Sequence, residues 1–374
     1  MNVAYLGPLQ DYSGYGEANR HDIAALEAAG VNVTGQLVSY VRDMTDFGEL
    51  GKIVNATLER KDPYKVKILH TTPDQFHRYI EKGVYTIARF FWETDKVPKD
   101  FAEGLKLCDE IWTGSQANKE AIIKAGVDKP IYIFPQATQA KRDWPEKYEL
   151  PGFREDGFLF YSIFEWIDRK NPAALLNAYW QEFQAGENVG LLLKTYFRDF
   201  THMNKQKIFQ EIDILKKKSG LSEFPPIYIY KELMDRKQIM RLHKTGDCFV
   251  SAHRGEGWGI PQVEAMLAGN PIISTNFGGV HEYLTNGKDA TLLDYSMVTV
   301  RGMEHSDRWY TRDQHWAEVD SDQLRAALRR AFEDRNHNDA IARAGKKTVE
   351  KKFNLKAVGG LLADRLSEIE RSLT

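Results

Sequence analysis

Cysteine is nearly missing from this chain of 374 residues: only Cys108 and Cys248 occur, far apart in sequence. A disulfide scaffold is thereby excluded, and two reduced thiols in a cytoplasmic protein are expected. Long hydrophobic runs are missing too. No segment approaches the ~18 consecutive apolar residues of a membrane span. The stretch from Met1 to Gly7 has no basic lead into an apolar run, so a signal peptide is not expected. Excess charge of one sign is absent: 51 Lys and Arg against 53 Asp and Glu give a net −2. That argues against a broad basic field for nucleic acid and leaves only a local basic groove open. Clustered metal ligands are lacking as well, since His253 and His281 stand apart and no Cys/His group has ligand spacing. What is present is a hydrophobic share of 42%, enough for cores, in a length that suggests two domains at roughly 100–200 residues each.

Short apolar runs alternate with helical stretches. Val3–Leu6 reads as a strand, followed by a glycine-rich loop to Gly16, a helix from about Glu17 to Ala29 closed by Gly30, and a strand over 31–38. Further strands are expected at 66–70, 84–91, 110–113 and 131–134, with a helix between the last two that Ser115 caps and Gly126 closes. Residues 140–157 are polar, marked by Pro and Gly, and without period, as in an interdomain connection. The rhythm then restarts. Strands are expected at 158–163, 189–194, 227–230, 248–252 and 271–274. Helices are expected after Asn171-Pro172, over 203–219, from Asp235 to 244, and over 261–268. A last helical region spans 321–374, interrupted near 336–338. The fold class is α/β, with two Rossmann-like, doubly wound parallel sheets whose ligand lies beyond the carboxyl ends of the strands. The domains are read as 1–150, 151–350 and a final helix over 351–374.

The most informative segment runs from Ser251 to Pro271. It leaves a strand, turns through Gly255, Gly257 and Gly259, and opens a helix with Pro261 near its first position. The amides of Gly257, Trp258, Gly259 and Ile260 then begin a helix whose dipole favours an anion. Glu256 and Glu264 flank that mouth. Two carboxylates beside an anion site are suited to sugar hydroxyls, one at each end of a diphosphate. Asp320-Ser321-Asp322 has the D-x-D form used by metal-dependent transferases, but a helix N-cap explains it. Gly14-x-Gly16 lacks the third glycine of a dinucleotide loop.

Glu256 and Glu264 reproduce an E-x7-E spacing, and the surrounding Gly-x-Gly-x-Pro-x-x-Glu-Ala-Met-x-x-Gly-x-Pro resembles glycosyltransferase family 4, a GT-B family. The resemblance implies two domains facing across a cleft, with a metal-independent, retaining enzyme that has no cofactor and uses a nucleoside diphosphate sugar as co-substrate. A UDP-sugar such as UDP-glucose is favoured over GDP-mannose. The acceptor stays open among sugar, lipid-linked, protein and nucleic-acid classes, as does the oligomeric state. A sugar-phosphate synthase or phosphorylase-type enzyme and a non-catalytic nucleotide-sugar binder are the alternatives.

By the same likeness Glu264 holds the ribose and Glu256 the donor sugar. Lys170, in Arg169-Lys170-Asn171-Pro172, meets the leaving diphosphate. The family's usual arginine five or six residues earlier is replaced by Phe164 or Glu165. Arg169, Lys194 and Arg254 are therefore the candidates for a second cation. Gly14 and Gly16 in the first loop, and Leu233, complete the donor side. Gly278-Gly279 resembles the family's segment under the diphosphate. Tyr15, His70, Trp92 and Glu93 are the acceptor-side candidates, Trp92 as a stacking platform. A buried aromatic strand end is the other reading of Trp92-Glu93. The aromatic stretch from Asp307 to Trp316 has no role in this scheme.

Overall fold

The structure is a computed structural model in which residues 1–38, 47–139, 144–303 and 306–373 are described; residues 140–143 of the expected connection lie outside them. The first sheet begins with β1 (Asn2–Gly7), whose apolar run is buried almost throughout. Helix α1 (Gly14–Ala28) starts three residues earlier than expected. The Ser13 hydroxyl accepts from the Gly16 amide at 3.3 Å, so Ser13 is the cap and Gly14–Gly16 form the first helical turn rather than a loop. Gly30, at φ +80°, closes the helix end as expected. There follow β2 (Asn32–Leu37), α2 (Gly48–Leu58), β3 (Val66–Leu69), β4 (Tyr85–Arg89), α3 (Lys99–Leu105), β5 (Glu110–Thr113), α4 (Gln116–Lys124) and β6 (Ile131–Ile133). All six strands are parallel, in the order β2-β1-β3-β4-β5-β6. Sequence reading missed α2 and α3. Glycine is a poor helix former, yet a Cβ on Gly104 in α3 would sit 1.9 Å from the Pro73 carbonyl oxygen, so close packing requires glycine there.

The second sheet holds β7 (Phe158–Glu165), β8 (Val189–Tyr196), β9 (Ile227–Tyr230), β10 (Cys248–Ser251), β11 (Ile272–Thr275) and β12 (Thr291–Leu293). Between them run α5 (Pro172–Glu182), α6 (His202–Ser219), α7 (Arg236–Thr245) and α8 (Ile260–Ala268). The strands are parallel in the order β9-β8-β7-β10-β11-β12, the doubly wound Rossmann order, with its reversal between β7 and β10. An antiparallel hairpin of β13 (Tyr295–Thr299) and β14 (His315–Val319) was not expected. The last helical region is not broken at 336–338. It breaks at Asp334, which ends α9 (Ser321–Glu333), and its carboxylate accepts from the His337 amide at 3.0 Å to start α10 (Arg335–Lys352). It breaks again before α11 (Leu355–Ser372), capped by Asn354.

Two compact units result: Met1–Arg142 with Arg308–Gln314 and Thr348–Thr374, and Asp143–Asp307 with His315–Lys347. In the first, α11 packs on α1, and its Val358, Leu362, Leu366 and Ile369 share a core with Val3, Ile23 and Leu26. The aromatic stretch finds its place in the same unit. Tyr310 stacks on Trp92 with ring centroids 5.1 Å apart, Trp309 lies against Phe101, and Arg308 pairs with Asp74 at 2.8 Å. In the second, Phe158, Leu176, Leu193, Val250 and Leu328 belong to one core.

Candidate active site

Strands β7 and β10 are neighbours at the point where the order of the second sheet reverses, so the loops after them bound the crevice where such sheets bind ligands. After β7 the chain makes one 3-10 turn over Asp168–Lys170. Asn171 follows in a left-handed conformation at φ 53° and caps α5 with its side chain. That turn delivers two cations. Lys170 forms an ion pair with Glu256 from the loop after β10, and Arg169 donates to the Gly255 carbonyl at 2.9 Å. Burial pushes the Glu256 carboxyl up, but Lys170, Arg169 and His253 together bring it down to about 2. It is a stable anion in a partly closed site.

Glu264 lies one turn into α8 and is 2% exposed. Arg236 grips both of its oxygens, with Nη1 at 3.2 Å from Oε2, and His243 Nε2 is 3.4 Å from the same oxygen. Gly259 caps α8 at φ +95°, and a Cβ there would lie 2.6 Å from the Tyr283 hydroxyl. Tyr283 holds the loop from beneath, donating to the Trp258 carbonyl at 2.6 Å. Trp258 itself is buried against Tyr283, so only its backbone suits a ligand. Gly278 and Gly279 pack closely against this loop. The Gly279 amide donates to the Glu256 carbonyl at 2.8 Å, and a Cβ on Gly279 would be 2.0 Å from the Gly257 oxygen.

Arg254 departs from its expected place. Its Nε donates to Glu318 on β14 at 2.7 Å and an Nη to the Asp168 carbonyl at 2.9 Å, so it ties the hairpin to the β7 loop. Lys194, at the end of β8, is buried over the Tyr196 and Phe200 rings, and burial lowers its ammonium to about 8. Leu233 is half-buried in the turn between β9 and α7.

The acceptor candidates lie in the first unit. His70 follows β3 and is buried, its Nδ1 2.6 Å from the Tyr5 hydroxyl, with Tyr15 edge-on at 5.8 Å. Burial first, and the charge of Arg89 second, hold His70 well below the usual imidazole range. Trp92 is not a stacking platform. It is 3% exposed, lies between Phe90 and Tyr310, and donates its indole N–H to Thr94 and the Lys96 carbonyl. Glu93 is half-buried and accepts from the Tyr310 hydroxyl at 3.1 Å. Gly14 and Gly16 lie in the first turn of α1.

Sequence reasoning missed Arg236, His243, His253 and Glu318. Only Arg236 and His243 had a usable signal: seven residues apart on one helix, they share a face. Buried His253 donates Nε2–H to the Phe277 carbonyl at 3.0 Å and accepts at Nδ1 from Ser251; burial lowers it to about 4, so it is neutral. Among the described residues no group of three His, Cys, Asp or Glu could hold a metal ion, and Asp320 caps α9. No helix among them is long and apolar enough to cross a membrane.

Residues 227–298, which include both glutamates, match the family described as Glycosyl transferases group 1. No curated protein matches the sequence. Solved structures match in fold over nearly the whole chain. Anabaena Alr3699/HepE in complex with UDP-glucose has 14% identity and a TM-score of 0.66, covering 98% of this chain and 100% of that one. Sucrose-phosphate synthase from Thermosynechococcus elongatus has 15% identity and a TM-score of 0.69, covering 99% of each. A trehalose-6-phosphate protein from E. coli, bound with UDP-2-fluoro glucose, has 12% identity and a TM-score of 0.66, covering 98% and 99%. The findings agree: a glycosyltransferase segment within a GT-B fold.

Proposed function

We propose that this chain, a glycosyltransferase by its matched segment and fold, takes its sugar from a UDP-sugar such as UDP-glucose rather than from GDP-mannose. It retains the anomeric configuration and needs no metal. One observation carries the reading: the Lys170–Glu256 ion pair stands beside the glycine-lined start of α8, at the reversal point of the second sheet. A nucleotide sugar offers the matching order of groups, with ribose hydroxyls for Glu264, a diphosphate for the amides of Gly257–Ile260, and sugar hydroxyls for Glu256. When the bond between sugar and phosphate breaks, its electron pair stays on the phosphate oxygen. In this reading Lys170 and Arg169 stabilise that charge. Arg169 is the second cation of the reading, because Arg254 is engaged by Glu318 and Lys194 is buried against the Tyr196 and Phe200 rings. On the acceptor side Tyr15 and Glu93 are the proposed contacts, since His70 and Trp92 are buried.

The UDP-sugars bound in HepE and in the E. coli protein support the donor class. The likeness to sucrose-phosphate synthase and to the trehalose-6-phosphate protein favours a sugar phosphate as acceptor over the other classes. The deciding experiment measures melting shifts and turnover with UDP-glucose and GDP-mannose, with and without hexose phosphates and EDTA, and reads the product anomer by NMR. A shift and an α-linked product with UDP-glucose, unchanged by EDTA, are expected. Absence of both binding and turnover with UDP-glucose would refute the reading.

A further inference from the structure

We propose that Arg236 is the positioning residue of the ribose site, so that a guanidinium–carboxylate pair, not Glu264 alone, reads the ribose hydroxyls. The inference rests on the assignment of Glu264 to the ribose. Arg236 is the first residue of α7, whose start is fixed by reciprocal hydrogen bonds between Asp235 and Gln238 at 2.7 and 2.8 Å. From that fixed point its two terminal nitrogens meet the two oxygens of Glu264, one on each. A fork of this kind sets the plane of the carboxylate as well as its position. His243, on the same face of α7, adds a second nitrogen 3.4 Å from Oε2.

Charge supports the same role. A diphosphate brings negative charge into a site that already contains two carboxylates. A buried carboxylate without a partner is costly in itself and repels an incoming anion. Here each glutamate has its own cation, Lys170 for Glu256 and Arg236 for Glu264. The motif acts as two ion pairs, and the pair at Glu264 lets a carboxylate accept ribose hydroxyls without opposing the diphosphate beside it. A purely structural tie between α7 and α8 would use the same contacts, so the test must read the ribose itself.

The experiment compares binding of UDP, 2′-deoxy-UDP and 3′-deoxy-UDP to wild type, E264Q, R236A and R236K, each checked for folding by its melting curve. Wild type is expected to favour UDP over at least one deoxy nucleotide by about tenfold. E264Q and R236A should bring that preference close to one, and R236K, which keeps the charge but loses the fork, should fall between. If R236A does not fold, R236K decides by the same ratio. Equal weakening of all three nucleotides in the Arg236 variants, with the preference intact while E264Q loses it, would overturn the role of Arg236 and leave the ribose site standing. Failure of wild type to bind UDP at all would remove the ribose site and this inference together.

Discussion

The Lys170 ammonium and the Glu256 carboxylate meet although 86 positions separate them in sequence, one following β7 and the other β10. Each group is held in place by the other, and in the proposed function Lys170 stabilises the leaving diphosphate. Removing the cation should therefore cost turnover more than binding. Lys170→Ala is expected to lower kcat about 10²- to 10³-fold, the loss typical of one preorganised stabilising group, with a much smaller change in the dissociation constant of UDP. Steady-state kinetics beside direct UDP titration checks this. An unchanged kcat would remove Lys170 from the chemistry.

Buried His253 and the half-buried Glu256 of the pair itself set an acid limit in sequence. His253 is held at about 4, below the ordinary imidazole value of about 6.5, mainly by burial. The unfolded chain takes up that proton first, so the penalty grows as pH falls from about 6.5 to about 4 and is constant below. Its full size is on the order of 3 kcal/mol. Glu256 acts in the same direction at lower pH: its folded value of about 2 lies below the ordinary one, so its contribution is present above about 4.3 and is lost as pH falls towards about 2. Urea midpoints of wild type and His253→Asn between pH 4 and 7 test the upper window. The variant should be less stable at pH 7 but show a flatter slope; parallel profiles would contradict the assignment.

Glycine packing against the loop before α8 gives a third expectation. Any side chain on Gly279 meets backbone, the Gly257 oxygen at 2.0 Å and the Trp258 Cα at 3.0 Å, and neither can swing aside. Gly279→Ala must push the Glu256–Trp258 loop away from its place. About 1–3 kcal/mol of destabilisation is expected, together with a rise of tenfold or so in the KM for the donor. Thermal melts and donor titration of the variant measure both. A normal KM would show that the loop position is not part of donor binding.

Much of this was legible in the sequence because it is local. The apolar runs of β7, β8 and β10 are too short for helices and bounded by turn residues. Asn171-Pro172 marks a helix start within two residues, and Glu256, the glycines and Glu264 lie in one contiguous segment. What was hidden depends on distant partners. Trp92 reads as a sugar platform until Tyr310 covers it, a partner whose neighbouring contact with Glu93 spans 217 positions. Arg254 reads as a phosphate ligand until Glu318 on an unforeseen hairpin claims it. The hairpin escaped notice because Ser296, Met297 and Thr299 are exposed and its strands lack an apolar run. The start of α1 was misplaced because Gly14 and Gly16 read as loop, whereas Ser13 caps a helix through them.

Gly359 and Gly360 make a controlled comparison within α11. They are adjacent on one helix, and neither has a positive φ, so both accept alanine as far as their own backbone is concerned. Their surroundings differ. A Cβ on Gly359 would lie 2.0 Å from the Ala25 carbonyl oxygen and 3.2 Å from the Ala29 Cβ, at the contact with α1, whereas one on Gly360 would meet nothing within 4 Å. Helix propensity alone favours alanine at both by roughly 0.5–1 kcal/mol. Gly360→Ala should therefore raise stability by about that amount. Gly359→Ala should lower it by about 2 kcal/mol or more, because the α1–α11 contact must open against a rigid backbone group. Denaturant midpoints of the two variants give opposite signs if α11 is docked on α1 through this glycine. The same sign in both would mean that the close approach at Ala25 does not hold the helix.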